Sequence, residues 1–119
     1  MDSFSVRFGS RRRVAYPECS SVRGNDAIYR YMWGPSEFRS TGTLRDYDRS
    51  GRLGELRLPV LLVAGQFDEA REETVREYGR MIPGARVAII PGAAHGSVSD
   101  EPEATTGAVR AFLKDVERR

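Results

Sequence analysis

The sequence predicts an α/β fold built on two parallel strands, and three observations carry that prediction. The runs VLLVA (60–64) and VAII (87–90) are apolar at every position, the pattern of strands covered on both faces. Between them, Glu72 to Ile82 place Val75, Tyr78 and Ile82 on one stripe, the spacing of an amphipathic helix. A strand, helix, strand crossover of this kind is right-handed and lays its two strands side by side.

Taken in order, residues 1–24 show no sustained periodicity, and Pro17, Gly24 and several serines break them into loop. Asn25 is placed to cap a short helix running to Trp33, with Ile28, Met32 and Tyr29 on its inner face and Gly34-Pro35 as its stop. EFRSTGTLRDYD (37–48) holds too many β-branched and turn residues for a helix and reads as extended connection. Asp46, Asp48, Ser50 and Gly51 imitate the start of a calcium loop. The twelfth position, where a bidentate glutamate is needed, is Arg57, so they read as turn and capping residues. RLGEL (52–56) reads as a turn of helix, and Pro59 opens the first strand, where a missing donor is tolerated. Gly79 weakens the central helix by about 1 kcal/mol relative to alanine. Pro83-Gly84 ends that helix and Pro91-Gly92 ends the second strand. Ser99 or Asp100 is positioned to cap a last helix, with Pro102 in its first turn and Ala108, Val109, Phe112, Leu113 and Val116 facing the sheet. The order is β-α-β-α behind an irregular leader.

Composition narrows the function classes. A chain of 119 residues buries about two thirds of its unfolded surface at most, enough for one core. Hydrophobic residues are 39% and charged residues 30%, with no apolar run near the roughly 20 residues that a membrane span needs. The N-terminus lacks the apolar stretch of an export signal, and the default expectation is cytoplasmic. Cys19 is the only cysteine, which excludes an internal disulfide, and one cysteine with one histidine cannot build a structural zinc site. Nineteen basic residues against seventeen acidic ones leave a net charge of +2. The one basic run, Arg11 to Arg13, has no aromatics interleaved, so no nucleic-acid partner is expected.

Asp68 follows the end of the first strand and His95 the end of the second, 27 residues later. Loops at the carboxyl ends of parallel strands converge, and neighbouring strands lie about 4.8 Å apart, so the two side chains can meet. A carboxylate that accepts an imidazole N–H fixes the ring's tautomer and stabilises the imidazolium once the ring has taken a nucleophile's proton. Spacing alone leaves open that His95 is an ordinary surface histidine.

YRYMWGPSEFRSTGTLRDYD (29–48), LPVLLVAGQFDEA (58–70) and PGAAHGSVSDEPE (91–103) together resemble the C-terminal part of the proline iminopeptidase family. These are α/β-hydrolases that remove an N-terminal residue, often proline, from peptides. MWGPSEF with TGTL is peculiar to these enzymes and their close relatives, and the likeness runs from about Pro17 to the last helix. The resemblance implies the C-terminal part of an α/β-hydrolase fold, with the end of a helical cap and its connection at 1–48 and the hydrolase part at 49–119. It implies Asp68 and His95 as the acid and base of a catalytic triad, and Glu37 and Glu69 as the pair that holds the substrate's α-amino group. Tyr29 falls where the family has a tyrosine near the substrate pocket. The implied partner is a peptide or amino-acid amide in the complete enzyme, with no cofactor and no metal; oligomeric state is left open. Two carboxylates converging on an ammonium suit an exopeptidase, which must tell a charged terminus from an internal amide. Trp33 and Tyr31 are candidates to line a proline-sized pocket.

The chain departs from the family at the nucleophile. These hydrolases carry the serine on a Gly-x-Ser-x-Gly turn before the acid and base, and none precedes Asp68 here. Ser36 lies between Pro35 and Glu37, with Phe38 where the second glycine belongs. The oxyanion-hole segment is missing too. The chain by itself is therefore not expected to hydrolyse peptides by this mechanism, and the competing reading is a non-catalytic truncated chain or small binding module.

Overall fold

The computed structural model describes residues 24–118. The loop reading of residues before Gly24, the Arg11 to Arg13 run and Cys19 lie outside them. The described residues divide between two compact units, 24–51 and 52–118.

In the larger unit, β1 (Leu61–Gly65) and β2 (Arg86–Ile90) pair in parallel, Leu61 opposite Arg86 and Gly65 opposite Ile90. The crossover is α2 (Glu72–Met81), which opens on the acidic Glu72 and Glu73, favourable at a helix N-terminus. Pro83 and Gly84 end it, Gly84 in the left-handed region at φ 71°. A short helix α3 (Ser97–Asp100) and a long one, α4 (Pro102–Glu117), follow β2, and both α2 and α4 pack on the two strands. Ala64, Ile82, Ile90, Ala93 and Ala94 are the buried apolar residues among those described.

The expectation of strands covered on both faces fails at Val63, which is exposed midway along β1. Gly79 has a packing reason: a Cβ there would lie 2.5 Å from Val87 Cγ2, so the glycine lets α2 approach β2. Along α4 the sheet-facing stripe is narrower than the periodicity predicts. Ala108, Phe112 and Val116 are half-buried, whereas Val109 and Leu113 are exposed. Arg86 joins β2 to α4, its guanidinium 2.5 Å from Asp115 and stacked over Phe112.

In the smaller unit, α1 (Asp26–Met32) is capped as the sequence predicts, Asn25 Oδ1 accepting the Ile28 N–H at 3.1 Å. Its expected inner face is not buried: Ile28, Tyr29 and Met32 are all exposed. The following segment corrects the extended reading. Thr41 and Gly42 donate to the Trp33 carbonyl, Thr43 to Tyr31 and Leu44 to Met32, folding residues 36–47 back on the helix end. A seven-residue helix leaves most of its carbonyls without internal partners, and these turns supply the donors. Gly42 is required by that approach, since a Cβ would stand 2.3 Å from the Met32 oxygen. Asp48 caps the Ser50 N–H at 2.8 Å and Asp46 pairs with Arg45, the turn and capping roles expected of them. A 3-10 helix (Ser50–Glu55) leads on toward β1.

Candidate active site

The parallel register carries two loops off the same end of the sheet, and backbone hydrogen bonds continue to join them beyond the strands. Gln66 N donates to Ile90 O and Phe67 N to Ala93 O, each at 2.9 Å, while the Gln66 side chain accepts Gly92 N–H at 3.0 Å. Gly65 permits this closeness. A Cβ there would lie 2.2 Å from Ala94 O and 2.6 Å from Ala93 O, both rigid backbone atoms.

Asp68 is three residues past Gly65 and His95 five past Ile90. Their side chains meet, His95 Nδ1 standing 3.0 Å from Asp68 Oδ1. The other contacts of Asp68 are backbone donors: Ala70 N to Oδ1 at 2.9 Å and Gly65 N to Oδ2 at 3.3 Å. The carboxylate is 6% exposed and the imidazole 61% exposed. A carboxylate only accepts, so an ionised Asp68 makes Nδ1 the protonated ring nitrogen and turns Nε2 to the opposite side as the basic one. Glu69 lies close to that side, its Oε1 3.9 Å from Nε2. The two loops thus bring together three of the predicted residues: Asp68 and Glu69 from the first and His95 from the second.

The other two meet in the smaller unit. The Tyr29 hydroxyl donates to Glu37 Oε2, and the Glu37 N–H donates back to the same hydroxyl oxygen at 3.1 Å. The hydrogen bond to the Glu37 carboxylate, with lesser desolvation and charge effects, holds the Tyr29 phenol above the ordinary tyrosine pKa. Beside Tyr29, a shallow hollow is lined by Ile28, Met32 and Trp33, while Tyr31 is strongly exposed. Among the described residues, no group of three or more histidine, cysteine, aspartate or glutamate side chains is arranged to hold a metal ion. Nor is any helix of them long and apolar enough to cross a membrane.

One residue beside His95 escaped the sequence reading in its role. Asp100 does not cap the last helix. Residues 97–100 are themselves helical, the N-cap position of α4 falls on Glu101 without a side-chain cap bond, and Asp100 is buried with Oδ2 accepting the Ala94 N–H at 2.9 Å. Its signal in the sequence was an acidic residue five positions after a histidine, close enough for one helical turn to bring it back over the loop.

No family model matches the chain. A proline iminopeptidase of Heyndrickxia coagulans is 36% identical over 92 residues, which are 77% of this chain and 32% of that protein. Among solved structures, the proline iminopeptidase of Mycobacterium smegmatis superposes with a TM-score of 0.82 at 30% identity, over 94% of this chain and 39% of that one. VinJ gives 0.81 at 25% identity over the same shares. The chain spans about a third of the length of the curated relatives it matches. Two parallel strands with flanking helices and these neighbours make it an α/β-hydrolase chain, corresponding to the C-terminal part of that fold. Within that class it is proline iminopeptidase-like.

Proposed function

We propose that this chain supplies the acid and base of a serine hydrolase that releases N-terminal residues, proline among them, from peptides or amino-acid amides. The contact between Asp68 and His95 at 3.0 Å across two strand ends carries the reading. Asp68 holds the ring with Nδ1 protonated, and Nε2 removes the proton of a serine that these 119 residues do not provide. That proton then passes to the leaving amine.

Glu69 and Glu37 are assigned to the substrate's ammonium. In an N-terminal residue the amino nitrogen lies roughly 2.5 Å from the scissile carbonyl carbon, one Cα away. An ammonium anchor must therefore sit within a few ångströms of the base, and Glu69 Oε1 at 3.9 Å from His95 Nε2 meets that requirement. Glu37 enters already hydrogen-bonded to Tyr29, which orients its carboxylate. Residues 1–48 are assigned to the end of a cap and 49–119 to the hydrolase part, and a cytoplasmic location remains the working assignment.

A chimaera tests the reading. Residues of this chain replace the matched part of the Mycobacterium smegmatis enzyme, and release from proline anilide is followed. Hydrolysis is expected, with N-acetylproline anilide resistant and His95→Gln reducing the rate at least a thousandfold. Glu69→Gln or Glu37→Gln is expected to lower kcat/KM roughly ten- to a hundredfold, the loss of a charge-assisted bond worth about 1.5–3 kcal/mol. Full activity in His95→Gln would refute it. An inactive chimaera, with proline amide binding to the 119-residue chain, would favour the binding-module reading instead.

A further inference from the structure

Asp100 and Thr105 are the two polar residues buried as whole residues among those described, 1% and 5% exposed. Neither belongs to the acid and base pair, yet both direct hydrogen bonds to the loop that carries His95. Asp100 Oδ2 accepts the N–H of Ala94, one residue before the histidine, at 2.9 Å. The Thr105 hydroxyl donates to the carbonyl of Ser97, two residues after it, also at 2.9 Å.

The loop needs this anchoring because the imidazole cannot supply its own. At 61% exposed, the His95 side chain gains little from packing, so its direction rests on the bond to Asp68 and on the backbone that carries it. On the upstream side, Ala93 and Ala94 are fully buried and Ala93 O is held by Phe67 N–H. Immediately before the ring, Ala94 N–H donates to the buried Asp100 carboxyl at 2.9 Å, an ordinary hydrogen-bond length. Downstream, Gly96 O accepts Ser99 and Asp100 N–H, closing α3, and Thr105 ties that helix to α4. Placing a buried carboxylate here is costly unless its bonds are made, and a cap on α4 could have been provided at the surface instead.

We propose that Asp100 and Thr105 are positioning residues for His95, clamping its loop on both sides so that the ring is presented to Asp68. This rests on Asp68 being the partner that orients His95. The two ideas are separable because His95 is the only histidine in the chain, and its ring nitrogens are therefore unambiguous in a nitrogen-15 spectrum.

The experiment compares the full 119-residue chain with Asp68→Asn, Asp100→Ala, Asp100→Asn and Thr105→Val, recording the His95 tautomer and the exchange rate of the Ala94 amide. Helix content by circular dichroism is recorded for each. The unmodified chain is expected to hold the Nδ1–H tautomer. Asp100→Ala should shift it toward the Nε2–H form that free imidazole favours and speed Ala94 exchange at least tenfold. Asp100→Asn, whose amide oxygen can still accept, should restore much of both. Thr105→Val should produce a smaller shift of the same sign, since Ser97 O keeps its bond from Glu101 N–H. If Asp100→Ala unfolds, Thr105→Val decides. Folded variants at both positions with an unchanged tautomer would overturn the proposal. An unchanged tautomer in Asp68→Asn would instead overturn the orienting role of Asp68, and an unmodified chain without the Nδ1–H form would overturn both.

Discussion

The two units of the molecule hold their paired side chains by different means. Asp68 and His95 sit on loops whose positions follow from strand register, and hydrogen bonds from Gln66 and Phe67 to Ile90 and Ala93 extend that register toward the two side chains. Tyr29 and Glu37 sit on a seven-residue helix with no buried residue and on the turn that folds back against it. Their mutual geometry rests on one pair of exposed hydrogen bonds and on local caps. Parallel pairing specifies a side chain's place to within a residue, since a slip would exchange the faces of the strand. A short capped helix has little beyond its own ends to hold it. The Asp68 and His95 pair is thus built into the sheet, and the Tyr29 and Glu37 pair is built from turn chemistry.

That contrast orders the expected effects of mutation. Gly65→Ala should be the most damaging, because its Cβ would collide with the Ala93 and Ala94 carbonyls and force the two site loops apart. A loss of about 3 kcal/mol in urea unfolding is expected, together with loss of the Asp68 contact to His95 in NMR spectra. A variant as stable as the parent would break the claim that close backbone approach sets the geometry of these two loops. In the smaller unit, Asn25→Ala should cost about 1 kcal/mol by removing the cap of α1, read as faster amide exchange at Ile28 and the residues after it.

Smaller still is the exposed Arg86 and Asp115 pair, for which a double-mutant cycle should give about 0.5 kcal/mol, falling with added salt. The last effect is one of titration. Glu37 raises the Tyr29 pKa, so the bond's contribution is present below the ordinary tyrosine value and is lost as pH rises through the raised one. Glu37→Gln should bring the Tyr29 transition down toward the ordinary value in a tyrosinate absorbance or NMR titration. A transition that does not move would mean that the pair is not formed in solution.

Much of the Asp68 and His95 region was legible in the sequence, because unbroken apolar runs mark parallel strands, the second closed by Pro91-Gly92, and the loops after such strands converge. The meeting of Asp68 with His95 followed from that. Less legible was whatever depended on satisfying particular backbone groups. Residues 36–47 lack helical or alternating periodicity and read as extended, but the carbonyls at the end of α1 draw them into turns. Asp100 has the composition and place of an N-cap, ahead of Pro102, yet the extra turn of α3 rotates it toward Ala94. Val63 looked buried because hydrophobicity marks which residues are able to be covered, and not whether a covering element is present.

The most direct test of the acid and base assignment is kinetic. In the chimaera with the Mycobacterium smegmatis enzyme, Asp68→Asn leaves the shape of the loop nearly intact while allowing the wrong imidazole tautomer. The rate of proline release at saturating substrate should fall by about four orders of magnitude, with KM within a few-fold of the parent. An unchanged kcat would contradict the assignment and leave the contact between Asp68 and His95 as a structural tie between two loops.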